Sequence, residues 1–121
     1  MVKRSIIFGV LVSLILLISG CNSGESGITV WQKIDEGALL VDVRSPAEFE
    51  QGHLEGALLI PHTQVASRLA EFGDDKSRPI VLYCKSGGRA GKAQKVLEEN
   101  GFTNLTNGGG YQDLLASKPN S

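Results

Sequence analysis

Cysteine, histidine and aromatic residues are scarce in this chain. Its 121 residues hold two Cys, two His and 6% aromatic side chains. With Cys21 at the end of an apolar leader, Cys84 is left as the one thiol of the body of the chain, and no intramolecular disulfide can form within it. An excess of basic charge is also lacking. Twelve Lys and Arg face thirteen Asp and Glu, for a net charge of −1. Removal of Lys3 and Arg4 with the leader leaves ten against thirteen. That balance argues against a nucleic-acid partner and against an extended basic surface for membranes. The longest apolar run, Ile6 to Ile18, is interrupted by Gly9 and Ser13. It falls short of the roughly 20 residues that a membrane-spanning helix needs. No internal repeat is present, and the length suits one domain.

The leader carries Lys3 and Arg4, then the apolar run, then small residues Ser19 and Gly20 before Cys21. This is the pattern of a secretory signal peptide. The end of the run, L-I-S-G-C, resembles the lipobox of bacterial lipoproteins. That resemblance implies removal of residues 1–20, lipidation of Cys21 and export to the periplasm or cell exterior. An uncleaved anchor or cleavage by the ordinary peptidase are the rival readings. Asn22 follows Cys21 where Asp would signal inner-membrane retention, so the expectation leans to the outer membrane in a Gram-negative source. Residues 21–27 then form a short polar tether, 28–117 the domain and 118–121 a tail.

The domain is organised around Pro79 to Gly91, P-I-V-L-Y-C-K-S-G-G-R-A-G. A buried strand, Ile80 to Tyr83, stops at Cys84 and runs into a glycine-rich turn, and a helix begins near Arg89. The thiol therefore sits at the carboxyl edge of a strand and the amino end of a helix. Orphan N–H groups and the helix dipole there favour negative charge and hence the thiolate. Lys85 and Arg89 act in the same direction. Gly87 and Gly88 allow successive N–H groups to curl inward as an anion nest. A structural cysteine before an ordinary turn is the plain alternative, but two cations and two glycines suit a thiolate better than an apolar core.

Around this unit the pattern alternates. Ile28 to Glu36 reads as a short helix closed by Gly37. Leu39 to Val43 reads as a strand buried on both faces; Asp42 within it is either at the strand's end or paired, with Arg44 the candidate partner. Ser45, Pro46 and Glu48 spell an N-cap, N1 proline and capping box for a brief helix ended by Gly52. Ala57 to Ile60 reads as a strand and Thr63 to Phe72 as a helix. Leu105 and Thr106 suggest a last strand, Gly108 to Gly110 a tight turn, and Tyr111 to Ala116 a final helix. The fold class is α/β: a mostly parallel sheet with helices on both faces. Ligands in such sheets bind beyond the carboxyl ends of the strands, where Cys84 lies.

Three stretches carry a more specific likeness. Leu39 to Ala57 (LLVDVRSPAEFEQGHLEGA) resembles the first signature of the rhodanese family, Tyr83 to Arg89 (YCKSGGR) its active-site loop, and Asn107 to Leu114 (NGGGYQDL) its closing glycine motif. The likeness covers residues 28–117 and extends to small, single-domain, exported sulfurtransferases of the phage-shock-protein-E type. It implies that Cys84 takes a sulfane sulfur from a donor such as thiosulfate and passes it to a thiophile. Lys85, Ser86, Gly87, Gly88 and Arg89 would form the substrate-binding loop, with Asp42 and Arg44 bracing it. The expected partners are a small anionic sulfur donor, a thiophilic acceptor (a protein among the options) and the membrane through the lipid. No nucleic acid, cofactor or metal is expected, and the chain is expected to be a monomer. Ala90 stands where the family often has Ser or Thr, which bears on rate, and Leu114 stands where Trp is common. His53 and His62 are read as structural. Three rivals remain at this level, of which a sulfur carrier that hands its persulfide to a partner protein differs only in the acceptor. Another is a non-catalytic, membrane-tethered module. The third is a cysteine phosphatase or arsenate reductase, whose loop has five residues between Cys and Arg where this chain has four.

Overall fold

The computed structural model describes residues 26–120. The leader and Cys21 lie outside the described residues. Helix α1 (Gly27–Asp35) starts on Ser26, whose hydroxyl accepts the Thr29 N–H at 3.2 Å. It is followed by strand β1 (Leu39–Asp42), helix α2 (Pro46–Glu50) and strand β2 (Leu58–Leu59). Strand β3 (Ile80–Cys84), helix α3 (Gly88–Glu99), strand β4 (Leu105–Gly110) and helix α4 (Tyr111–Ala116) complete the chain. The four strands form one parallel sheet in the order β2-β1-β3-β4. The expected α/β architecture is what the chain adopts.

Two apolar layers cover the sheet, and the period-two alternation of the strands decides which residue enters which. Val41, Ile80, Leu82 and Cys84 face α3 together with Val43, Ala90, Ala93, Leu97, Phe72 and Phe102. Leu40, Val81 and Tyr83 face α1 and α4 with Val30, Trp31 and Leu114. Every residue of β3 is buried. Each large aliphatic side chain so buried contributes about 1.5–3 kcal/mol. The central strand that presents the thiol is therefore also the most firmly held.

Two expectations are corrected. Thr63 to Phe72 is not a continuous α-helix but two 3₁₀ turns, His62–Gln64 and Leu69–Phe72. The apolar spacing does bury Val65 and Phe72. However, the ends are fixed from outside: the His62 N–H donates to Val43 O at 2.9 Å, and the Arg68 guanidinium reaches Leu59 O at 3.2 Å. The backbone between them makes i→i−3 bonds only, as in Gln64 to Pro61 and Arg68 to Val65. Gly108 to Gly110 is likewise not a turn but the end of β4, with a register shift opposite Leu82 to Cys84. These glycines mark close backbone approach. A Cβ on Gly110 would run into the Lys85 carbonyl, and one on Gly108 would lie 3.2 Å from Val81 Cγ1. The remaining differences are at boundaries: β2 is shorter than Ala57 to Ile60, and α3 begins one residue before Arg89.

Candidate active site

Cys84 is the last residue of β3 and is 1% exposed. The chain leaves it through Lys85, Ser86 and Gly87, and α3 starts at once. Gly87 is the helix N-cap with φ +99°, a left-handed conformation that glycine adopts at low cost. The turn brings two backbone donors onto the sulfur. The Gly87 N–H reaches Cys84 Sγ at 2.9 Å and the Ala90 N–H reaches it at 3.4 Å. Both complement negative charge on the sulfur, and they do so at the positive end of a 12-residue helix. The Ala90 donor was not legible in the sequence, where attention falls on the missing hydroxyl rather than on the backbone.

Of the two flanking cations, one is engaged among the described residues. Arg89 makes a two-pronged ion pair with Glu48 across 2.8 and 2.9 Å. The Glu48 carboxylate also accepts the Ser45 N–H at 3.1 Å and the Ser45 hydroxyl at 2.9 Å, which completes the expected capping box. Arg89 first, then the Ser45 backbone, hold the Glu48 carboxyl well below the usual carboxylate range. Arg89 is itself stabilised in its charged form by Glu48. The pair fastens the sulfur loop to the start of α2, 41 residues away in sequence. Lys85 is exposed and makes no ion pair among the described residues. It stands beside a cavity of about 200 Å³ lined by Arg44, Glu48, Gln51, Tyr111 and Gln112. Ser86 and Gly88 are exposed on the loop. A larger cavity of about 410 Å³ lies between Trp31, His53, Leu115 and Lys118 and is lined by no thiol or hydroxyl side chain.

The Asp42–Arg44 pair exists, as expected, and is buried at 2.7 Å. The Arg44 backbone N–H and side chain both donate to the Asp42 carboxylate. Its remaining contacts go elsewhere than the loop backbone. Arg44 Nη2 donates to Gly52 O at 2.7 Å, and its guanidinium lies 4.5 Å from the centre of the Tyr111 ring. The pair thus braces the end of α2 and the start of α4, and meets the sulfur loop only at the cavity mouth that Arg44 shares with Lys85. Tyr83 Oη accepts the Leu54 N–H at 3.0 Å, and burial pushes its phenol upward. His53 stacks on Phe49 with ring centroids 3.6 Å apart, and its Nδ1 is 2.8 Å from Phe49 O. His62 opens a 3₁₀ turn. Neither histidine is among the residues that touch the sulfur.

Sequence reasoning missed two residues near the loop. Glu48 was legible only as a capping residue. Asn107 stood out only as the start of a glycine motif, yet its Nδ2 donates to Gly87 O at 3.0 Å and its Oδ1 accepts the Gly109 N–H at 2.9 Å.

The chain resembles known proteins in sequence and fold. Residues 28–116 match the Rhodanese-like domain family. Thiosulfate sulfurtransferase PspE of Escherichia coli is 37% identical over 78 residues, which span 64% of this chain and 75% of that protein. A solved structure described as a rhodanese with anions from E. coli superposes with a TM-score of 0.62 at 35% identity, covering 69% of this chain and 95% of that one. The human single-domain sulfurtransferase TSTD1 superposes with a TM-score of 0.68 at 26% identity, covering 79% and 97%.

Proposed function

The chain belongs to the rhodanese-like domain family, and from that premise we propose that it is a sulfurtransferase working through a persulfide on Cys84. The thiolate of Cys84 attacks the outer sulfur of thiosulfate or a similar anion. A new S–S bond forms, the donor's own S–S bond breaks, and sulfite leaves with the electron pair. A thiophile, cyanide in an assay, then attacks the terminal sulfur and leaves as thiocyanate, restoring the Cys84 thiolate. No general base is required, because the nucleophile enters and leaves as the anion.

The observation that carries this reading is the pair of N–H groups at 2.9 and 3.4 Å on a sulfur that is almost wholly enclosed. Preorganised donors of this kind stabilise a charged sulfur without reorganisation during the reaction. The enclosure suits a one-atom guest at the end of a slim donor. Lys85 supplies a free positive charge to draw an anion to the mouth. A phosphoryl group spreads its charge over three equatorial oxygens and needs a wider ring than four residues between Cys84 and Arg89 provide. Arg89, already held by Glu48, is also less available to grip such a group.

We further propose that Cys21 is lipidated and anchors the domain to a membrane facing the periplasm or cell exterior. Gly27 lines one cavity with Gly108, Gly109 and Gly110, and Gly110 pairs with Cys84. The chain therefore enters the domain at the edge that carries the sulfur loop, and an anchor there would keep the loop near the lipid surface.

The decisive test is the intact mass of the protein after thiosulfate treatment. Gain of one sulfur atom on the parent, and none on Cys84→Ser, is expected. Thiocyanate formation should vanish in Cys84→Ser while circular dichroism stays unchanged. Turnover of an aryl phosphate through Cys84 would replace this reading with the phosphatase one. For the anchor, the membrane-extracted protein is expected to begin at Cys21 and to carry acyl mass; a mature form that starts elsewhere without acyl chains would defeat it.

A further inference from the structure

We propose that Asn107 is a positioning residue for the sulfur cradle: its carboxamide holds the Gly87–Gly88 peptide at the start of α3, and with it the Gly87 backbone angles that let the Gly87 and Ala90 N–H groups both meet Cys84 Sγ. The proposal deepens the sulfur-transfer reading and rests on it for its biological meaning.

Gly87 is pinned from two directions. Its N–H points to Cys84 Sγ at 2.9 Å, and its carbonyl accepts Asn107 Nδ2 at 3.0 Å. The same carbonyl accepts the Gly91 N–H at 2.9 Å, the opening bond of α3. Gly87 is the helix N-cap, yet no side chain on its own segment caps it. Asn107 reaches in from β4, 20 residues on, and fixes the carbonyl of a residue whose positive φ only glycine adopts freely. Its side chain is in turn locked, because Oδ1 accepts the Gly109 N–H at 2.9 Å. Space is limited as well: a Cβ on Gly87 would lie 3.5 Å from Gly109 Cα, and one on Gly91 would lie 3.6 Å from Asn107 Nδ2. A rotation of the Gly87–Gly88 peptide would shift the first turn of α3, which carries the Ala90 donor at 3.4 Å, and would change the Gly87 backbone angles that keep the preceding peptide's N–H on the sulfur at 2.9 Å. The two halves of the amide do different work. The oxygen closes the end of β4, and the NH₂ group sets the cradle.

This division gives a discriminating test. Asn107→Asp keeps the acceptor for Gly109 but loses the donor to Gly87. Asn107→Leu loses both and adds no charge. Each is compared with the parent protein by the pH midpoint of Cys84 alkylation with iodoacetamide, by thiosulfate–cyanide turnover and by urea unfolding. The charged groups at the loop, Lys85 and the Arg89–Glu48 pair, are common to all three proteins. Both variants are expected to move the alkylation midpoint upward and to lower turnover about tenfold, the scale of one lost hydrogen bond in a confined site. Asn107→Asp is expected to unfold close to the parental urea concentration, and the uncharged Asn107→Leu shows that the midpoint shift is not merely the added carboxylate. Parental alkylation midpoints in both variants, with only unfolding affected, would overturn the proposal and leave Asn107 as a strand-end residue. The alkylation readout needs no sulfur donor. A parent that fails to turn over thiosulfate would thus defeat the functional reading without deciding the role of Asn107.

Discussion

Two arginines, each held by a carboxylate near the carboxyl edge of the sheet, do different jobs here. Arg44 is 6% exposed and faces Asp42, which is fully buried, two residues away. Arg89 is 29% exposed and faces Glu48, 41 residues away. The first pair is buried between the end of α2 and the Tyr111 ring, with Arg44 bordering the cavity beside Lys85. The second ties the sulfur loop to the start of α2, and its Glu48 lines the cavity beside Lys85. Burial decides how much each pair matters to folding, and position decides how much each matters to the sulfur. A buried charge without its partner is costly, whereas a half-exposed one is relieved by water.

The largest expected effect comes from breaking the buried pair. Asp42→Ala leaves the Arg44 guanidinium uncompensated in the interior, and a loss of about 3–5 kcal/mol in urea unfolding is expected. Turnover per folded molecule should change far less than stability, because Arg44 does not touch the sulfur. A stability loss below about 1 kcal/mol would mean that water reaches the pair and that the two pairs do not differ in effective burial.

Arg89→Ala should invert that pattern. The half-exposed pair contributes about 0–1 kcal/mol, so unfolding should move little. Its removal frees the Glu48 carboxylate at the mouth and unfastens the loop. An approximately tenfold fall in kcat/KM for thiosulfate, carried mainly by KM, is expected from repulsion of the anionic donor. Arg89→Lys should recover part of this, since a lysine cannot reproduce the two-pronged contact. Equal kcat/KM in parent and Arg89→Ala would show that the pair is ornamental to catalysis.

The smallest effect is in the acid limb of stability. The folded Glu48 carboxyl lies below its ordinary value of 4.5, so the folded state binds fewer protons than the unfolded one. Its contribution is fully present above that pH and is lost as the pH falls below it. Glu48→Gln should therefore show a shallower decline of thermal midpoint on acidification than the parent, with the two curves parallel above about pH 6. A parallel decline below pH 4.5 would place the acid sensitivity elsewhere.

The two pairs also differ in how far a linear reading reaches them. Asp42 and Arg44 are near neighbours in a strand and the turn after it, so their pairing is a local inference. The capping box of Ser45 and Glu48 is local too, and both came through as read. The partner of Arg89 is not local. Glu48 satisfies its capping role and still has acceptor capacity left, and nothing in the sequence says which cation will fill it. The glycines of β4 misled for a related reason. Glycine permits a turn and also permits close approach, and only the carbonyl of Lys85 beside Gly110 decides between them.

The sequence by itself determined the strand–Cys84–glycine–helix unit, the parallel α/β sheet and the burial of β3. These follow from apolar runs, caps and turn residues that act within a few positions of one another. The tertiary structure alone decided that Glu48 would occupy Arg89, that Asn107 would hold Gly87, and that the 62–72 segment would settle into 3₁₀ turns between Val43 and Leu59. In each case a side chain or backbone group could be satisfied by several partners at similar cost. The choice fell to whichever one the packed sheet brought within about 3 Å.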